Sequence, residues 1–231
     1  LTALALGVEL LVHYGHSCLI PVDQTSGIKV LYVFVDIKID PLHFIETIKL
    51  NFDKTKKIGL VSTIQFVTTL QSVSTALKAE GFDISVPQFR PLSPGEILGC
   101  TAPFLRCSDV IIYLGDGRFH LEAAMIANPK LKAYKYDPYD KKFTSETYDH
   151  ESMLQNRLAS VTKAKTCENF GVILGTLGRQ GSVKITDFFA KKLRENGKEF
   201  VTILLSEIFP GKLELFKGLD AFVQVACPRL S

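Results

Sequence analysis

Seven apolar, β-rich runs bounded by glycine or proline recur along the chain, at residues 10–13, 30–35, 58–61, 110–114, 171–174, 200–205 and 221–225. Between them lie segments with helical periodicity, at residues 41–51, 66–80, 150–168 and 182–196, the last closed by Gly197 as a helix C-cap. A chain that alternates strand, helix and strand packs its helices on the faces of a parallel sheet. The expected fold class is therefore α/β.

One block occurs twice. Leu11-Val12-His13-Tyr14-Gly15-His16 aligns with Ile111-Ile112-Tyr113-Leu114-Gly115-Asp116 at an offset of 100 positions. Asp36 lies 21 positions beyond Gly15, and Asp137 lies 22 beyond Gly115. A looser echo pairs 60–64 with 173–177, each a strand that runs into a turn and then a helix. Repetition at about 100 residues points to related α/β units. The reading is an internal triplication of small parallel-sheet units: the C-terminal part of a first unit at 1–40, a second at 41–142, and a third at 143–231. Both ends read as cuts through a longer protein, since the chain starts at Leu1 and stops at Ser231.

Composition narrows the function classes. The 231 residues carry a formal charge of only +3 with scattered lysines, which gives no basis for direct nucleic-acid binding. No apolar stretch approaches membrane-spanning length, so a cytoplasmic protein without a membrane role is expected. Five cysteines, at 18, 100, 107, 167 and 227, form no C-x-x-C pair, which argues against a disulfide framework and a zinc ribbon. Gly15-His16-Ser17-Cys18-Leu19 lacks the closing glycine of a nucleophile elbow. His13, His43 and His150 have no metal-ligand spacing.

Cys100 and Cys227 stand apart because each sits where a strand-like run gives way to a tight turn. Free cysteine is most often a small buried hydrophobe. Strand ends, however, are where α/β proteins gather functional groups, so distant thiols can share one metal centre. Three thiolates on a 4Fe-4S cluster would leave one iron open to a substrate or cofactor. Cys18, Cys107 and Cys167 lack this position and read as structural. Two glycine-rich turns at strand ends are candidate anion or cofactor contacts. One comprises Gly115, Asp116, Gly117, Arg118 and His120. The other comprises Gly178, Arg179, Gln180 and Gly181, followed by Ser182, which suits a helix N-cap.

Taken together, Val12-His13-Tyr14-Gly15-His16-Ser17-Cys18-Leu19, Pro94-Gly95-Glu96-Ile97-Leu98-Gly99-Cys100-Thr101, Tyr113-Leu114-Gly115-Asp116-Gly117-Arg118-Phe119-His120, residues 175–182 and Ala226-Cys227-Pro228-Arg229 closely resemble the diphthamide synthase family. The likeness spans nearly the whole chain and is most similar to the family's cluster-bearing subunit. It implies three similar units, each giving one cysteine to a 4Fe-4S cluster, with Cys100 and Cys227 matching two ligands. The remaining ligand is implied a few residues before Leu1. The resemblance further implies a radical reaction of S-adenosylmethionine. In it a 3-amino-3-carboxypropyl group passes to imidazole C2 of a histidine in elongation factor 2, the first step of diphthamide biosynthesis. The implied partners are that protein substrate, a homologous second subunit and an electron-donor protein. The alternative is a non-catalytic partner subunit of the same complex without a working cluster.

Overall fold

The computed structural model describes residues 2–15, 27–90, 92–99, 101–176 and 181–226. Three separate sheets organise them, and parallel pairing dominates, as the alternation of strands and helices requires. The chain divides into two compact units between Tyr148 and Asp149.

The first unit opens with a short helix α1 (Thr2–Ala5) and two parallel strands, β1 (Leu10–Gly15) and β2 (Lys29–Phe34), paired from Leu10↔Lys29 to Gly15↔Phe34. Helix α2 (Pro41–Asn51) follows. Its start is set by Asp40, whose side chain accepts the Leu42 N–H at 3.0 Å, and by Pro41 in the first turn, where a missing N–H is harmless. Then come β3 (Lys57–Ser62), a single 3₁₀ turn (Ile64–Phe66), α3 (Val67–Ala79), β4 (Asp83–Ser85), β5 (Val110–Leu114), α4 (Phe119–Ala127), β6 (Lys132–Asp137) and β7 (Lys142–Glu146). The five strands run in the order β4-β3-β5-β6-β7, all parallel except the edge strand β7.

Period-two alternation sorts the apolar residues of this sheet into two cores. Val110, Ile112 and Leu114 face one side with Phe44, Ile48, Leu70, Val73 and Leu77 of α2 and α3. Ile111 and Tyr113 face the other side with Leu121, Ala124 and Met125 of α4. Both faces are covered, so β5 reads as an unbroken apolar run.

Several elements escape the sequence pattern, and two of them bear on the candidate site. Helix α4 is apolar nearly all round because Leu121, Ala123, Ala124 and Met125 are all buried, so it shows no amphipathic period. Strand β7 returns antiparallel through a hairpin in which Asp137 Oδ1 accepts the N–H groups of Tyr139 and Asp140 and Lys141 adopts φ +52°.

The second unit contains α5 (His150–Ala164), β8 (Asn169–Gly175), α6 (Val183–Glu195), β9 (Glu199–Leu205), α7 (Pro210–Leu213) and β10 (Ala221–Val225). Its sheet is parallel throughout, in the order β10-β8-β9. Helix α5 stops at Ala164, short of the expected residue 168. Thr166 and Cys167 instead turn back, with their N–H groups on the Lys163 and Ala164 carbonyls, to start β8. Ser182 caps α6 as expected, accepting the Ile185 N–H, and Gly197 closes it at φ +67°.

The units share a device at the start of an inner strand, β3 in one and β8 in the other. In the first, Asp109 Oδ2 accepts the Lys57 N–H at 2.9 Å while Asp109 N–H donates to the Lys57 carbonyl at 2.8 Å. In the second, Asp220 Oδ2 accepts the Asn169 N–H at 2.9 Å and the Glu168 N–H at 3.1 Å, while Asp220 N–H donates to the Asn169 carbonyl at 2.8 Å. Each aspartate immediately precedes its strand, β5 or β10, and locks it beside β3 or β8.

Asp220 gives a pH prediction. The Asn169 and Glu168 N–H bonds hold its carboxyl below the ordinary value of 3.8. A depressed carboxylate stabilises the fold above its unfolded-state pKa, and that contribution is lost as pH falls through the folded value. Asp220→Asn should therefore flatten the acid-side decline in urea midpoint of the second unit below about pH 4. An undiminished decline in that variant would assign the acid sensitivity to other groups.

Candidate functional site

In open parallel sheets ligands gather at the carboxyl ends of the strands. In the five-stranded sheet this edge is formed by Ser62 at the end of β3, by Leu114 and the following turn after β5, and by Asp137 at the end of β6. A second chain segment joins it. Ser62 pairs in parallel with Glu96, the Ser62 N–H donating to the Gly95 carbonyl at 2.8 Å and the Ile97 N–H to the Ser62 carbonyl at 2.9 Å. Gly95 has φ +82°, and a Cβ there would strike Leu70 and, at 2.9 Å, Val86, so only glycine fits this bend.

The segment then reverses. Leu98 and Thr101 exchange two backbone hydrogen bonds, at 3.0 and 3.3 Å, across residues 99 and 100. The Phe119 ring at the start of α4 lies directly on Gly99, leaving no room for a side chain there. The segment bearing Cys100 is thus packed against the helix that follows the β5 turn. Cys100 itself lies outside the described residues, as do Cys227, Gly178, Arg179 and Gln180. Among the described residues no group of three or more His, Cys, Asp or Glu side chains is placed to hold a metal ion. Cys107 is exposed, and Cys167 is buried with its thiol toward the Lys163 carbonyl at 3.5 Å.

The turn after β5 is where the sequence placed a ligand contact. Gly115 approaches the Tyr113 hydroxyl so closely that a Cβ would stand 2.5 Å from it, and its N–H is already bonded to the Tyr136 carbonyl at 3.0 Å. Tyr113 is fully buried and donates to the Asp116 carbonyl at 3.3 Å. Burial raises its pKa well above the ordinary tyrosine value, so it stays protonated. Gly117 adopts φ +63° with open space around it.

Arg118 does not stand free. Its guanidinium bonds Glu122 at 3.4 Å, Glu146 at 3.0 Å and the Thr147 carbonyl at 2.8 Å, tying α4 to β7. His120 lies edge-on to Phe119, with ring centroids 5.3 Å apart. The structure thus brings Gly115, Asp116, Gly117, Arg118 and His120 into one strand-to-helix turn. Arg118 also has a bracing role there that was invisible without β7.

In the second unit the corresponding strand end is made of small residues. A Cβ on Gly181 would collide with the Gly175 carbonyl oxygen, and one on Gly175 would lie 2.6 Å from Ala226 Cβ. Gly181, the described member of the second candidate turn, therefore packs against the end of β8. Ala226, the residue before Cys227, adjoins the same strand end.

Sequence reasoning singled out neither Ser62 nor Glu96. Both are buried, at 0 % and 2 % exposure, and among the described residues Ser62 Oγ and Glu96 Oε1 have no hydrogen-bond partner, while the neighbouring Thr63 hydroxyl meets the Tyr113 hydroxyl on the other face of the sheet. The pairing of Ser62 with Glu96 joins residues 34 positions apart, and no local pattern announces it. In the first unit a cleft of about 270 Å³ opens between Asp36–Pro41 and Thr68–Ser72.

No helix among the described residues is long and apolar enough to cross a membrane. A family model described as "Putative diphthamide synthesis protein" matches residues 1–231. The chain is 57 % identical over 230 residues to 2-(3-amino-3-carboxypropyl)histidine synthase subunit 1 of Nematostella vectensis, covering 100 % of this chain and 49 % of that protein. It is 58 % identical over 231 residues to the subunit 1 of Gallus gallus, covering 100 % and 56 %. The chain thus spans about half the length of the curated relatives it matches. Among solved structures, Dph2 from Pyrococcus horikoshii with a 4Fe-4S cluster superposes with a TM-score of 0.75 at 28 % identity, over 99 % of this chain and 67 % of that one. The parallel-sheet fold, the ordered motif blocks and a match over every residue agree: this chain belongs to the diphthamide synthesis protein family.

Proposed function

We propose that the protein containing this chain transfers the 3-amino-3-carboxypropyl group of S-adenosylmethionine to imidazole C2 of a histidine in elongation factor 2, the first step of diphthamide biosynthesis. The observation that carries this reading is the identity of 57 % over essentially the whole chain to a relative named for that product. The overall transfer is redox-neutral. A sulfonium carbon–sulfur bond breaks to leave 5′-methylthioadenosine, a carbon–carbon bond forms at C2, and the C2 proton is released. The three sheets are read as copies of one α/β unit, divided at 1–40, 41–142 and 143–231.

Cys100 and Cys227, with a third thiolate that the family resemblance places ahead of residue 1, are the residues that would hold a 4Fe-4S cluster. When bound, such a cluster would lend the electron that opens the carbon–sulfur bond and would recover one as the C2 hydrogen leaves as a proton, so an outside donor protein would be needed only to charge it at the start. What the described residues contribute is support. The reciprocal Leu98 and Thr101 bonds and the Phe119 ring over Gly99 stiffen the mount on which Cys100 is carried. The turn at Gly115, Asp116, Gly117, Arg118 and His120, and the loop at Gly178, Arg179, Gln180 and Gly181, are assigned to orienting the cofactor so that the intended carbon faces iron. A homologous subunit and a cytoplasmic setting complete the reading.

The test is an anaerobic assay of the full-length protein, reconstituted with iron and sulfide, reduced, and mixed with elongation factor 2 and S-adenosylmethionine labelled in its amino-acid arm. Label is expected on the histidine, together with free 5′-methylthioadenosine. A well-folded protein that stays colourless on reconstitution and transfers no label would instead be a partner subunit.

A further inference from the structure

Beyond the reversal at Leu98 and Thr101 the chain runs through residues 102–108, where burial alternates. Pro103 and Leu105 are buried, whereas Phe104 and Arg106 are exposed, Phe104 at 72 %. Leu105 packs on β3, in the space that a side chain at Gly59 would need. A single exposed aromatic ring is ordinary on a protein surface, but the backbone that carries this one is clamped. Asn128, buried at the end of α4, accepts the Leu105 N–H at 2.8 Å and donates to the Pro103 carbonyl at 2.9 Å. One side chain thus fixes both peptide groups that flank Phe104, and its bond to the Ala124 carbonyl at 2.9 Å ties it to its own helix. Two cations adjoin the clamp. Arg106 is two residues beyond Phe104, and Lys130 is two residues beyond Asn128. Among the described residues neither forms an ion pair. The acids closest to them in the chain are committed elsewhere: Asp109 to the Lys57 N–H, Glu122 to Arg118, and Asp137 to Lys135 and its own hairpin. A second exposed ring, Phe119, lies on Gly99.

Aromatic and arginine side chains carry much of the energy at protein interfaces, and a ring fixed beforehand loses less entropy on association. The unpaired cations select an acidic surface. Position selects the kind of protein. Phe104 is four residues from Cys100, so their Cα atoms are no more than about 14 Å apart whatever path the chain takes. Leu105, however, packs on Gly59 in the middle of β3, so Phe104 is set back from the carboxyl edge where a reacting histidine has to enter. An electron can cross such a gap, and an imidazole carbon cannot. We propose that Phe104, Arg106 and Lys130 dock an acidic electron-transfer protein that charges the cluster. This rests on the function proposed above, which calls for such a donor. The step moves one electron from the donor's reduced centre to the cluster, and no bond is made or broken. A patch of this size suffices, because redox encounters use small, transient interfaces.

The probe is flavodoxin, a small acidic flavoprotein, mixed anaerobically as its hydroquinone with reconstituted full-length protein. The rise of its blue semiquinone follows the transfer of one electron. Phe104→Ser is expected to slow this reduction about tenfold or more, and the paired reversal Arg106→Glu with Lys130→Glu should slow it comparably and flatten its dependence on salt. Reduction by dithionite, which needs no docking, should stay within about twofold of the parent in every variant. Binding gives a readout free of the cluster: oxidised flavodoxin, titrated calorimetrically onto unloaded full-length protein, should lose affinity in the same variants. Equal rates and affinities in parent and variants, or a parent that flavodoxin neither binds nor reduces, overturn the docking site and leave the wider function standing. Slower reduction by both reagents, or a melting temperature several degrees lower in Phe104→Ser, overturns it as well, since the ring would then be packed against another part of the full-length protein. Loss of label transfer under dithionite, with reduction by flavodoxin unchanged, would assign the patch to the protein substrate instead. A parent that takes up no iron overturns the proposed function, and the docking of a donor with it.

Discussion

Full-length protein carrying Cys100→Ala, or Cys227→Ala, is expected to emerge from anaerobic reconstitution without the thiolate-to-iron absorbance near about 400 nm that the parent shows. The argument is one of ligand number. A cluster held by three thiolates already has one iron without a protein ligand, so losing a second anchor leaves it open to solvent and oxidant. Label transfer should fall to background in either variant. Cys107→Ala is the matched control, since Cys107 is exposed and free, and it should retain both colour and transfer. Equal loss of colour in all three variants would deny Cys100 and Cys227 their special role.

Gly181→Ala is expected to have the largest effect among the described glycines of the candidate turns. The new methyl group would be driven into the Gly175 carbonyl oxygen and would lie 2.6 Å from Leu174 Cδ1. The obstacle is backbone, held in turn because Thr176 N–H donates to the Leu205 carbonyl at 2.9 Å between β8 and β9. Overpacking of this kind costs about 1–3 kcal/mol, and relief requires Gly181 to move off the end of β8. A lower melting temperature and weaker binding of S-adenosylhomocysteine should therefore appear together. Gly211→Ala is the comparison, because a Cβ there meets nothing within 4 Å and the variant should be neutral on both counts. Unchanged binding in a destabilised Gly181→Ala would remove Gly181 from the cofactor site.

The fold was legible wherever burial on both faces produced short apolar runs. Residues 110–114 and 221–225 coincide with β5 and β10, and 41–51 with α2. What escaped was set by tertiary context. Helix α4 is buried too evenly to show a period, and β7 depends on an Asx turn at Asp137 that resembles any loop in sequence. Missing β7 also hid the Glu146 and Thr147 partners of Arg118, which read from sequence as a free donor.

The paired aspartate clamps were not visible in sequence. The matched clamps of Asp109 on Lys57 and Asp220 on Asn169 equate β5 with β10. In chain position Cys100 comes ten residues before β5, whereas Cys227 comes two residues after β10. Gly115 was identified because glycine before a helix is a local signal. Glu96 and Ser62 were not, because what brings them together is a non-local bridge between residues 34 positions apart.

The account's central claim is that sulfurs from two distant segments bind a single iron–sulfur centre. The direct measurement is a crystal structure of the full-length protein prepared and frozen without oxygen. It should show Cys100 Sγ and Cys227 Sγ bonded to different irons of one 4Fe-4S cluster. Sulfurs more than about 10 Å apart, with neither bound to iron in protein that is active, would contradict it.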